Sequence, residues 1–300
     1  MTPDLDALAR RLSDDLARQH DPAPRASDAP SSDTPPPAPP GVIWAPDDVR
    51  IASLIDHTLL KPEATEQDIV RLCAEAREHR FAAVCVNPAW VPLCRKALDG
   101  TEVKVATVIG FPLGANRPEV KAAEAALAVH DGADELDMVA AIGHLRSGRW
   151  AHVQKDIERV VEAADGRLVK VIIESALLAP LEIVRACLTA TAAGAGYVKT
   201  STGFNAAGGA TAEAVALMRL AVGDALGVKA SGGVRDCDTA LRMIAAGATR
   251  IGTSSGVAMA GCRGAGPAPV RDLLARRWPH AHRDDGASRA SDAPPSARPY

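Results

Sequence analysis

Aromatic residues are scarce in this 300-residue chain, at 3%, and a surface that stacks nucleobases needs more of them. A formal net charge of −3 leaves no strongly basic face for nucleic acid either. No run of 18 apolar residues occurs, so no membrane span is expected. Residues 1–11 lack the apolar core of a secretory signal, which points to a cytoplasmic protein. The six cysteines (Cys73, Cys85, Cys94, Cys187, Cys237 and Cys262) are scattered without a C-x-x-C pair and read as reduced thiols of the same compartment. The eight histidines never stand at i, i+4 around a carboxylate, so no metal site is expected.

Proline is scarce in one place only. Of 22, six lie between residues 47 and 266 (Pro62, Pro88, Pro92, Pro112, Pro118 and Pro180), while ten precede that stretch and six follow it. The division predicts one compact domain over 48–278, flanked by Pro-rich tails at 1–47 and 279–300. Such tails cannot bury enough apolar surface to offset their ordering entropy, so they are expected to be disordered. Leu5, Leu8, Leu12 and Leu16 form a short amphipathic pattern in the first tail, a tethered helix or a docking helix. The hexapeptide RASDAP occurs at 25–30 and again at 289–294, a low-complexity repetition.

Within the domain, short β-branched runs alternate with Ala-rich stretches. Strands are expected at 54–56, 82–86, 104–109, 135–138, 169–173, 197–199, 228–230 and 250–252. Helices are expected at 65–79, 90–98, 117–131, 151–163, 181–193, 210–222 and 236–246, with one or two more in 254–278. VKVATVIG and LVKVIIES are almost continuously apolar, as strands covered on both faces are. Gly100, Gly132, Gly194 and Gly247 stand where helices should end. Eight such units in this length predict an α/β fold, a (β/α)8 TIM barrel. The alternative, an open doubly wound sheet, would carry G-x-G-x-x-G after its first strand, where this chain has HTLLKPEAT.

Catalytic groups of such barrels lie at the C-terminal ends of the strands. The polar residues expected there are Asp56, Cys85, Asp137, Glu174, Lys199 and Lys229. Lysine is informative because the chain has eight against 26 arginines. Two of the eight end neighbouring strands, in YVKTSTGF and VKASGG. Arginine cannot form an imine or give up its proton near neutral pH. A second ammonium and partial burial would lower one lysine's pKa and supply a neutral amine, and Asp137 could move protons through a water. Covalent chemistry, phosphate binding by a point charge and a structural ion pair all remain open on spacing alone. Cys85 reads as core filler or as a nucleophile.

Glycine-rich loops form a second group. Ser231-Gly232-Gly233 follows the seventh strand and Gly252-Thr253-Ser254-Ser255 the eighth. Loops in these places commonly hold phosphate, glycine lets backbone N–H groups approach the anion, and a following helix N-terminus would add positive charge. Ser254 and Ser255 would otherwise be N-caps.

At these residues the chain closely resembles the deoxyribose-phosphate aldolase family of Schiff-base-forming, class I aldolases, over about residues 51–260. The matching segments are DHTLLKPEAT (56–65), AVCVNPAWV (83–91), VATVIGFPLGA (105–115), GADELDMV (132–139), KVIIESALL (170–178), GAGYVKTSTGFNAAGGAT (194–211), GVKASGGVR (227–235) and RIGTSSG (250–256). The resemblance implies reversible cleavage of 2-deoxy-D-ribose 5-phosphate to D-glyceraldehyde 3-phosphate and acetaldehyde, in deoxyribose phosphate catabolism. It implies Lys199 as Schiff-base nucleophile, Lys229 as the ammonium beside it and Asp137 as the proton donor and acceptor. Asp56 and Thr58 would contact substrate hydroxyls or position the proton network, Cys85 would line the pocket, and Gly232, Gly233, Ser254 and Ser255 would hold phosphate. No cofactor is implied, since the lysine takes the place of a metal, and a homo-oligomer, dimer or tetramer, is usual.

Two positions depart from the family pattern. Ala140-Ala141 stands where an Asn is common near Ala141, and Phe204 stands where some members have a phosphate-side Lys. Tyr300 ends the chain, as a functional Tyr does in some members, but behind an unrelated Pro-rich tail. Rival readings are a phosphosugar isomerase or synthase on the same barrel, with the lysines binding phosphate or enolate, and a catalytically silent platform for the tails.

Overall fold

The computed structural model describes residues 49–264. The expected tails, the Leu5–Leu16 helix, any helix beyond residue 264 and Tyr300 lie outside the described residues.

Eight parallel strands close into a barrel, each paired with its neighbours in chain order and the last with the first. They are β1 (Ile55–Leu59), β2 (Ala83–Val86), β3 (Lys104–Ile109), β4 (Glu135–Val139), β5 (Leu168–Ile172), β6 (Tyr197–Lys199), β7 (Gly227–Ser231) and β8 (Arg250–Thr253). The helices are α1 (Glu66–His79), α2 (Val91–Ala97), α3 (Pro118–His130), α4 (Ile142–Arg146), α5 (Trp150–Ala163), α6 (Pro180–Ala192), α7 (Ala212–Val222), α8 (Cys237–Ala245) and α9 (Gly256–Met259). The fold is the expected TIM barrel. Two details were not expected. Two helices, α4 and α5, fill the crossover between β4 and β5, and a two-residue antiparallel pairing joins Val49–Arg50 to Arg263–Gly264, the first and last described residues.

Period-2 alternation sends Val84 and Val86, Val105, Val169 and Val171, Val198, Val228 and Ile251 outward into the apolar layer shared with the helices. The inward face is divided. On β2 and β3 it is apolar, and Ala83, Cys85, Ala106 and Val108 form an inner cluster with Leu60, against which Phe111 packs. On the other six strands it carries the charged side chains. The helices start on good caps where the sequence has them: Thr65 with Asp68 in a capping box, Thr211, and Asp236.

The cysteine reading is corrected in part. Cys73, Cys85, Cys94 and Cys187 are free and buried, but Cys237 and Cys262 form a disulfide, their Cα atoms 5.9 Å apart. A spacing of 25 residues hides this pairing; the turn through β8 and α9 brings the two ends together. No described helix is long and apolar enough to cross a membrane.

Candidate active site

Alternation puts Asp56 and Thr58 of β1, Glu135 and Asp137 of β4, Lys170 of β5, Tyr197 and Lys199 of β6, Lys229 of β7 and Arg250 of β8 on the inner face. Register then aligns them: Asp137 stands opposite Lys170, Lys199 opposite Lys229, and Lys229 opposite Arg250. Lys199 ends its strand, as expected. Asp137 and Lys229 are third of five residues in their strands and Asp56 second of five, short of the strand ends.

Asp137 is the hub and is fully buried. Its Oδ2 accepts from Lys199 Nζ at 2.7 Å and from Lys229 Nζ at 2.6 Å, and its Oδ1 accepts from Lys170 Nζ at 2.8 Å. Lys229 also donates to Asp56. Asp56 in turn accepts from Arg250 at 2.9 Å, and Arg250 donates to Glu135 at 2.9 Å. Lys170 lies 2.5 Å from Glu135. Only Lys199 of these lysines reaches toward solvent, its side chain 4% exposed against 0% for Lys170 and Lys229.

Burial would raise Asp137, but the charges of Lys170, Lys199 and Lys229 outweigh it and hold the carboxyl well below its ordinary value. Asp56, pushed up by burial and down by Arg250, Lys229 and Lys170, falls to about 2. The lysines separate. Burial lowers all three; Asp137 with Asp56 or Glu135 more than restores Lys229 and Lys170, whose pKa values are raised. Lys199 stays lowered, because desolvation and the Lys229 charge together exceed the pull of Asp137. The bonded cluster contains four cationic side chains and three carboxylates (Asp56, Glu135, Asp137). A low-dielectric interior disfavours the surplus charge, and Lys199 is where the proton comes off most easily. The arrangement places the lysine with the lowered pKa beside a carboxylate held well below its ordinary value.

The remaining expected residues divide. Thr58 is half-buried and donates to its neighbour's carbonyl, Asp56 O, at 2.8 Å. Cys85 lies in the apolar wall, and burial pushes its thiol up, as does Asp137; it is a wall residue there. Glu174 does not join the lysines. It binds the Thr202 hydroxyl at 2.6 Å and sits in the left-handed region at φ 52°. Gly232 and Gly233 have φ of 81° and 82°. A Cβ on Gly232 would come within 3.0 Å of Gly209 Cα, so glycine is required where the 201–211 loop lies against this turn. Ala210 N–H seals the contact by bonding to the carbonyls of Ser231 and Gly232. Ser254 is exposed, and the Ser255 N–H is taken by Thr253 Oγ1 at 2.9 Å.

Helices follow both loops, but each is limited as a source of positive charge. Helix α8 is capped by Asp236, whose carboxylate accepts from Thr239 N–H at 2.8 Å, and α9 has only four residues. An anion here would rest on loop N–H groups and hydroxyls.

Three residues were missed. Lys170 was hidden inside the apolar run LVKVIIES, although its even spacing from Glu174 was a usable signal. Arg250 and Glu135 were read as strand starts. Ser201 is a fourth candidate: its hydroxyl is buried without a partner, beside Gly232.

A closed parallel barrel whose interior gathers three lysines and an arginine around buried carboxylates is the architecture of a barrel enzyme. The DeoC/LacD family aldolase model matches residues 50–260, and the chain belongs to that family and is a lyase. A deoxyribose-phosphate aldolase of a Geobacillus species is 60% identical over 211 residues, 70% of this chain and 94% of the relative. Among solved structures, an aldolase designated QR15 is 38% identical with a TM-score of 0.67, over 77% of this chain and 99% of that one. A deoxyribose phosphate aldolase from Aeropyrum pernix, described as having a unique tetrameric structure, is 37% identical with a TM-score of 0.66, over 70% of this chain and 89% of that one.

Proposed function

We propose that this chain cleaves 2-deoxy-D-ribose 5-phosphate reversibly to D-glyceraldehyde 3-phosphate and acetaldehyde through a Schiff base on Lys199, in deoxyribose phosphate catabolism. The observation that carries the reading is the hydrogen bond of Lys199 to Asp137 with Lys229 on the same carboxylate oxygen, together with the names of relatives at 56–60% identity.

Neutral Lys199 attacks the open-chain aldehyde, and loss of water gives an iminium. Forming that cation restores the charge the cluster had shed, 2.7 Å from Asp137, so the carboxylate stabilises it. Cleavage of the C2–C3 bond sends the electron pair into the iminium and leaves a neutral enamine, with the charges of Lys170, Lys229 and Arg250 then balanced by three carboxylates. Asp137, working with Lys229 through a water, takes the C3 hydroxyl proton and returns a proton to the enamine carbon. Hydrolysis frees acetaldehyde. The iminium is the electron sink, so this route calls on no cofactor.

In this reading Asp56 and Thr58 position the proton network, Cys85 with Ala83, Ala106 and Val108 forms the wall along the acetaldehyde carbons, and Gly232, Gly233, Ser254, Ser255 and Ser201 surround the phosphate. Residues 48–278 are the catalytic domain and the Pro-rich segments are appendages. A charged sugar phosphate does not cross membranes, which favours the cytoplasm; the cysteines no longer support that compartment, given the Cys237–Cys262 disulfide. The tetrameric relative supports a homo-oligomer.

Incubation with acetaldehyde and borohydride is expected to add a reduced two-carbon adduct on the peptide containing Lys199, and none in Lys199→Ala. An unlabelled Lys199 with full turnover would refute the Schiff base and favour the isomerase reading, in which the lysines bind only charge.

A further inference from the structure

The loops after β3 and β4, with the first turn of α3, helix α4 and one side of α5, line a groove of about 920 Å³. In the closed strand order, β3 and β4 stand across the barrel from β7 and β8, so this groove lies away from the loops assigned above to the substrate phosphate.

Its lining is basic. Arg117, Arg149, Lys155 and Arg159 face a single carboxylate, Glu119. Glu119 is shared by Arg159 and by Arg117, the latter at 3.4 Å. Among the described residues no carboxylate lies within ion-pair distance of Arg149 or Lys155. His144 and His152 complete the wall with ring centroids 3.8 Å apart. Partial desolvation, and after it the charges of His152 and Arg149, push His144 below its ordinary value.

The helix ends add to the same imbalance. Helices α1, α7 and α8 begin on side chains that accept a backbone N–H. Helices α2, α3, α4 and α5 have no side-chain cap bond, and of these α3 and α5 begin on cations, Arg117 and Arg149. A cation at a helix N-terminus opposes the macrodipole; at α3 this is offset by Glu119 in the first turn, whose N–H meets its own carboxylate after Pro118, but α5 has no acidic residue in its first turn. That α5 end is less favourable when the groove is empty and more favourable when an anion fills it. The volume lies in the span of small-molecule sites, about 300–1,000 Å³, and the cations are spread over two loops and helix α5, wider than one phosphate group covers.

We propose that this groove is a second, non-catalytic site that binds a polyphosphate anion, either inorganic or as the charged tail of a nucleotide. The proposal does not depend on the aldolase reading, because its test measures binding.

The test is calorimetric titration of the full chain with tripolyphosphate, ATP and adenosine, without divalent cations. Saturable binding of tripolyphosphate and ATP, but not adenosine, is expected. ATP binding tighter than tripolyphosphate identifies a nucleotide; equal affinities identify the inorganic anion; either supports the site. The charge reversal R149E/K155E should weaken binding by about tenfold or more, as loss of fixed opposite charges does, and leave aldol turnover and borohydride trapping unchanged. The milder R149Q should show a smaller loss. Absence of saturable binding overturns the proposal. So does binding that survives R149E/K155E, or that deoxyribose 5-phosphate displaces. A change in oligomeric mass on R149E/K155E without polyphosphate binding would make the groove a protein interface and overturn it equally.

Discussion

Lys170 touches both Asp137 and Glu135, yet it stands in a strand that otherwise reads as apolar. Its raised pKa keeps it a permanent cation, whereas Lys199, one strand away, is the one lowered. The distinction depends on how many carboxylates each ammonium meets. Lys170 meets three within 4 Å and Lys229 meets two, while Lys199 meets Asp137 alone. Removing the carboxylate while keeping its shape separates the two halves of the reaction. Asp137→Asn takes away the group that raises the Lys199 pKa, so the amine becomes more readily neutral and borohydride trapping is expected to persist. Turnover should fall by about 10² to 10⁴, the usual range for a lost general acid–base group. Quantitative trapping by mass spectrometry alongside steady-state rates checks this; loss of trapping together with turnover in a folded variant would contradict it.

At the scale of elements, β4 is held by more than its ladder. Lys121 of α3 and Asp156 of α5 form a fully buried pair at 2.6 Å, and the same ammonium donates to Val139 O, the last residue of β4, at 2.9 Å. The pair therefore joins two helices to the end of the strand that carries Asp137. Lys121→Met leaves Asp156 buried without its cation, and is expected to cost about 3–5 kcal/mol, while K121M/D156L recovers most of the loss. Urea unfolding of the two variants measures the difference; equal stabilities for both would contradict it. The expected strands and helices were largely legible because parallel strands buried on both faces need continuous apolar runs, as in VKVATVIG. The α4–α5 break and the Val49–Arg50 pairing were not, because short elements leave too few residues to show a period. The disulfide was hidden for a related reason: Cys237 and Cys262 become neighbours only when the last strand–helix unit turns back.

For the whole molecule, closing the barrel confines seven ionisable groups in one interior, and its stability should follow their titration. Asp56 is depressed from 3.8 to about 2, and Asp137 is also lowered. Stability from a depressed carboxyl is complete above the unfolded-state pKa and is lost as pH falls through the folded one. The shift of Asp56 alone corresponds to about 2 kcal/mol. Unfolding free energy is expected to be flat with respect to these groups above about pH 4 and to drop between about pH 4 and 2. Denaturant titrations across that interval measure the drop, and its absence would show that the interior carboxylates are not held ionised.

By itself the sequence determined the strand–helix alternation, and with it the barrel. It also singled out the candidate residue types, because a chain that prefers arginine so strongly and still ends a strand with Lys199 draws attention to the amine. Local patterns are short-range, and those conclusions need nothing longer. Only the tertiary structure decided which charges meet. Asp137 is separated from Lys170, Lys199 and Lys229 by 33, 62 and 92 residues, and the register of four strands brings them onto one carboxylate. That closure, together with burial, is what lowers the pKa of Lys199 while those of Lys170 and Lys229 are raised.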